Sequence, residues 1–141
     1  MTRAAWTVAL ITSVFFTDQC IAHAIRSPCG GVDRKLTVDD QARLSARLNQ
    51  QFVFAKQTAR AMERFRFRGW SIVYAYDDTS DPFFAFYRGD PLTTKSLAIW
   101  GGAAGSNEEN EIRLWVTKNA PGIPAQLATC FAWHVTGDRD F

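Results

Sequence analysis

The sequence predicts an α+β fold: one long helix packed on a four-stranded antiparallel sheet, with a second, shorter helix before the last strand. Three observations carry this. A single apolar stripe at helical spacing runs through residues 38–65. Short β-branched and aromatic runs then alternate with turn-rich clusters. A Ser-Asn-Glu-Glu capping pattern opens a second helical stretch further on. A length of 141 residues suits one domain. A composition 47% hydrophobic and 21% charged excludes disordered, collagen-like and coiled-coil chains.

Residues 1–24 read as a secretory signal peptide. Arg3 is a short basic start, Ala4 to Phe16 is apolar apart from Thr and Ser, and Ala22-His23-Ala24 offers the small residues that signal peptidase accepts. The apolar run is shorter than the roughly 18–20 residues a spanning helix needs. No membrane span is therefore expected after cleavage. Thr17-Asp18-Gln19 before Cys20 lacks the small and apolar residues expected ahead of a lipidated cysteine. Cleavage after Ala24 leaves one exported domain, residues 25–141, in the periplasm or outside the cell. It removes Cys20 from three cysteines and His23 from two histidines, leaving Cys29, Cys130 and His134. An even cysteine pair in an oxidising compartment predicts a Cys29–Cys130 bridge. Chain entropy assigns a loop of that length about 4–5 kcal/mol.

The elements follow in order. Ile25 to Lys35 is an arm with turn chemistry at Ser27-Pro28-Cys29-Gly30-Gly31. Thr37 is an N-cap, with Asp39 and Asp40 in the first turn. Leu44, Leu48, Phe52, Ala55, Ala59 and Met62 make one stripe, predicting a helix over 38–65 that stops at Gly69. Trp70–Tyr76, Phe83–Arg88 and Lys95–Trp100 read as three strands of a meander, joined at Asp77–Pro82 and Gly89–Pro91. Residues 107–118 read as a helix with Glu108, Glu109 and Glu111 early and Lys118 late; the alternation of Ile112, Leu114 and Val116 keeps a strand as the rival. A helical turn at Pro124–Ala128 precedes a fourth strand over 129–136, where Phe131, Trp133 and Val135 alternate with Cys130, Ala132 and His134.

The chemistry is sparse. One histidine and two bridged cysteines fall short of a zinc site, so no metal and no cofactor is expected. Asp77, Asp78 and Asp81 lack the EF-hand pattern. No G-x-S-x-G, S-x-x-K or phosphate-loop motif occurs, and no catalytic residue is assigned. Seven basic residues (Arg43, Arg47, Lys56, Arg60, Arg64, Arg66, Arg68) against Glu63 make 43–68 basic. The net charge of +2 and an exported location argue against nucleic acid. The loop Gly101-Gly102-Ala103-Ala104-Gly105-Ser106 is small enough to enter another protein's cleft.

An exported single domain with one bridge, aromatic antiparallel strands and no catalytic set resembles the small periplasmic immunity and inhibitor proteins of Gram-negative bacteria. These include the immunity partners of type VI secretion amidase effectors and the periplasmic lysozyme inhibitors. The resemblance implies a protein partner, a secreted hydrolase or amidase, whose active site is blocked by a protruding loop. The candidate contact residues are Asp77, Asp78 and Asp81 on one loop, and Gly101, Gly102, Gly105, Ser106 and Glu108 on the other. The alternative is a small envelope enzyme or ligand-binding domain using the sheet face near His134. The oligomeric state is left open.

Overall fold

The computed structural model describes residues 27–52 and 58–137. The expected signal peptide lies outside them. The described chain is an α+β domain with three helices and a four-stranded antiparallel sheet in the order β1-β2-β3-β4.

Helix α1 (Val38–Gln51) starts where the sequence places it. Thr37 Oγ1 accepts the Asp40 amide at 3.1 Å, which satisfies one of the helix's free donors. Leu44 and Leu48 are its buried stripe. The helix is shorter than predicted: it ends at Gln51, and Arg60–Phe67 is strand β1. Ala59 and Met62 continue the helical stripe, but Arg64-Phe65-Arg66-Phe67 also alternates with period two, and pairing with the next strand decides between them. Arg68 (φ 46°) and Gly69 (φ 75°) join β1 to β2 (Trp70–Asp77). Both are left-handed, the geometry of a two-residue hairpin turn, so Gly69 ends a hairpin turn, not a helix.

Strands β3 (Ser80–Arg88) and β4 (Ala98–Gly101) complete the meander. Two register shifts shape it. One, at Met62, sits between the Ala61–Ala75 and Glu63–Tyr74 pairs. It lets Ala61 pack under α1 while Glu63 and Phe65 face the other way. The other lies at Asp81-Pro82, between the Ala75–Phe83 and Asp77–Ser80 pairs. A bulge tolerates a proline with no amide to donate.

Helix α2 (Glu109–Asn119) confirms the helical reading of that segment. Its cap differs in detail: the Glu108 carboxylate accepts the Gly105 amide, and no side chain caps the helix. The predicted strand over 129–136 is helix α3 (Ala125–Gly137). Leu127, Phe131 and Val135 follow at steps of four, and Cys130, Ala132, His134 and Thr136 are buried too. A helix buried on most sides has apolar residues all round, so alternation and helical period cannot be told apart in its sequence. The second helix therefore does not precede a last strand; the fourth strand comes from 60–67.

The sheet separates two cores. Leu44 and Leu48 of α1 pack on Val73, Ala75, Ala85 and Tyr87. On the opposite face α2 and α3 cover Phe65, Ile72, Phe84 and Phe86. The Phe131 ring stands edge-on to Phe84 and Phe86, at 5.0 Å from each. Cys29 and Cys130 are at bonding distance, S–S 2.05 Å. The bridge fastens the arm to α3, and Asp33 pairs with Arg66 at the edge of β1. No described helix is long and apolar enough to cross a membrane.

Candidate functional site

At one end of the sheet the α2/α3 face is left open. A groove of about 630 Å³ lies there, walled by Tyr74 and Tyr76 of β2, the Asp81-Pro82 bulge, Phe84, Trp100 and the loop Gly102–Ala104. Strand alternation puts Tyr74, Phe84 and Trp100 on this face, and their rings lie 4.7–5.9 Å apart in sequence across it. Tyr76 is 42% exposed at the mouth. The loop leaves the space open because its side chains are tiny. Gly102, at φ 114°, holds a conformation other residues resist.

A second, shallower hollow of about 290 Å³ lies across the same loop, lined by Trp100, Gly101, Ala103, Glu108, Glu111 and Trp115. The loop is thus a ridge between two aromatic hollows. Asp81 marks one, Glu108 and Glu111 the other, and no basic side chain lines either among the described residues.

Beneath the groove, Glu63 sits opposite Tyr74 in the sheet. Arg34 Nη2 donates to Glu63 Oε1 at 2.8 Å, and His134 Nε2 lies 3.1 Å from Oε2. Arg34 Nη2 is also 3.5 Å from His134 Nδ1. The imidazole thus stands between the Arg34 guanidinium and the Glu63 carboxylate. Burial alone raises the Glu63 pKa, but the bonds from His134 and Arg34 outweigh it and hold the carboxyl below its usual 4.5. Tyr74 is pushed up, by burial first and by the Glu63 charge second, which keeps its hydroxyl protonated. Tyr87, on the α1 face, is raised to about 12 by burial, against the opposing pull of Arg47.

The two predicted contact loops do meet at this end, but not all their residues do. Asp81 and Gly102 line the groove, and Gly101 and Glu108 the neighbouring hollow. Asp78 and Ser106 are exposed without lining either, and Gly105 is half-buried with its amide on Glu108. Asp77 faces inward instead. It is fully buried, and its carboxylate accepts from the Thr58 hydroxyl and from the Thr79 amide and hydroxyl. A turn acid that satisfies its own backbone in this way has no surface left to offer. His134 is 1% exposed and packs on Phe65 at 5.0 Å, on a helix and not on the sheet. It lies behind the groove wall. Tyr74, Tyr76, Phe84 and Trp100 complete the site; strand alternation and the preference of Tyr and Trp for interfaces are their signals in the sequence.

Among the described residues no group of three or more His, Cys, Asp or Glu is placed to hold a metal ion. Fold and site together define an α+β domain with an acidic, aromatic double groove. Compared with family models, curated proteins and solved structures, the chain matches none of them.

Proposed function

We propose that this is an exported protein-binding module that inhibits, or confers immunity to, a secreted cell-wall-degrading enzyme. The observation that carries the reading is the exposed ridge Gly101–Ala103, flanked by two aromatic hollows whose charged edges are carboxylates. A short ridge of small residues fits an enzyme cleft. Tyr and Trp supply contact area at low entropic cost, and Asp81, Glu108 and Glu111 complement a basic cleft rim.

The test is inhibition. The mature chain, expected to begin at Ile25, is titrated into peptidoglycan hydrolysis by lysozymes and by secreted amidases. Inhibition is expected for one of these classes, with at least a tenfold loss in Ala103→Trp and Asp81→Lys. Ala103 is the better ridge probe than Gly102, whose backbone any side chain would strain. Full hydrolysis by every enzyme at saturating protein would overturn the reading.

One observation favours a second reading, a ligand-binding domain. The volume of about 630 Å³ lies in the range that small molecules occupy. In that case Tyr76→Ala weakens a small ligand while Glu108→Lys, across the ridge, does not.

A further inference from the structure

The other end of the sheet carries a second cavity, of about 670 Å³, whose wall includes Arg43 of α1, Arg64 and Arg66 of β1, Arg68 of the hairpin turn, and Asp40 and Asp90. We propose that this cavity is an oxyanion site that binds a phosphate group carried by a larger ligand.

The charges set the direction. Four guanidiniums and two carboxylates line the wall, with Asp33 and Asp39 beside it as partners of Arg66 and Arg43. Arg64 is 7% exposed. Its Nη2 is used twice, on Lys35 O at 2.9 Å and Asp40 Oδ2 at 3.0 Å. Its Nε is buried without a hydrogen-bond partner among the described residues. A buried cation with a donor unspent is costly unless a further acceptor completes it. Arg66 is paired with Asp33. Arg43 reaches Asp39 only at 3.7 Å, with both side chains well exposed. Arg68 stands 5.1 Å over the Phe67 ring, and no carboxylate lies within ion-pair distance of it among the described residues. Arg43 and Arg68 therefore come from different elements, the first with a long, exposed contact to Asp39 and the second over an aromatic ring, beside a third guanidinium fixed by Lys35 and Asp40.

Arginine forks match the oxygens of phosphate in pairs, which lysine does not. The cavity is larger than one phosphate, so the ligand extends beyond it. A phosphorylated saccharide and a phospholipid headgroup share the required chemistry. The site is independent of the groove, at the opposite end of β2.

Inorganic pyrophosphate is the probe, titrated calorimetrically into the disulfide-bonded chain in a chloride buffer. One-to-one saturation is expected, with at least a tenfold loss in the double variant Arg43→Gln/Arg68→Gln. Both side chains are surface groups, so the variant should keep the wild-type melting temperature. Arg113→Gln, on the distant α2, should bind as wild type does. No saturation by about 10 mM pyrophosphate, an unchanged affinity in the double variant, or an equal loss in Arg113→Gln would each overturn the proposal. Flotation with phosphatidylglycerol vesicles separates the sources. Binding that the double variant loses assigns a lipid headgroup; pyrophosphate binding without vesicle binding assigns a soluble phosphorylated ligand.

Discussion

Strand β2 has eight residues and two different ends. At Trp70 it meets an arginine-walled cavity; at Tyr76 it meets an aromatic groove edged with carboxylates. A net charge of +2 hides this polarity. The hairpin turns explain part of the difference. Arg68-Gly69 closes one end without a bulge and leaves three arginines, at 64, 66 and 68, gathered at the turn. The Asp81-Pro82 bulge reshapes the other, turning an acid and a ring into the groove wall. The lesson is that a near-neutral chain can carry two ends of opposed charge, set at either end of one strand.

The arm 29–35 serves both ends, so its tether gives the largest predicted effect. Asp33 holds Arg66 at the cavity, and Arg34 holds Glu63 beneath the groove. The bridge from Cys29 to α3 anchors the start of this arm. Replacing both cysteines by serine should lower stability by about 2–5 kcal/mol, measured by urea unfolding. Pyrophosphate affinity and enzyme inhibition should both fall. Loss of one with the other intact would show that the arm supports a single end.

The next test acts at the groove end. Glu63 keeps its charge in the folded state to a lower pH than its usual 4.5. Its contribution to stability is thus complete above that value and is lost as pH falls through the depressed folded pKa. Glu63→Gln should cost about 1–2 kcal/mol at neutral pH and should flatten the acid limb of a stability–pH profile. Asp33, at the cavity end, is also held below its usual range, first by the Lys35 amide and second by Arg66. It is solvated, so Asp33→Asn should change the acid limb less. Equal acid limbs in the two variants would remove the contrast.

These residues also show how far the sequence could be read. Thr37 with Asp40, and the pair Cys29 and Cys130, are legible because a cap is local and an even cysteine count is simple. Segment 60–67 is not, because Ala59 and Met62 suit a helix while strand pairing with β2 is a long-range gain. Segment 129–136 fails for the opposite reason: burial on most sides of α3 erases the period. The groove wall includes the Asp81-Pro82 bulge, and a one-residue register shift has no signature in composition. Asp77 looks like a solvated turn acid until Thr58, nineteen positions earlier, is found bonded to it. That the two candidate loops share one end of the sheet follows from the pairing of Gly101 with Phe83 just beyond the turn, a long-range contact with no local signature.

The smallest predicted effect isolates the cavity end. Thr37 caps α1 through the Asp40 amide, and the Asp40 carboxylate holds Arg64. Thr37→Ala removes one accepted bond and should cost about 1 kcal/mol, read as a drop in melting temperature. The first turn would fray, Asp40 would hold Arg64 less firmly, and pyrophosphate affinity should fall by less than the tenfold expected for Arg43→Gln/Arg68→Gln. Inhibition through the groove should not change, because α1 packs on the opposite face of the sheet from Phe84 and Trp100. A matching loss of inhibition would mean that the sheet transmits strain from one end to the other, and the two surfaces would have to be treated as coupled.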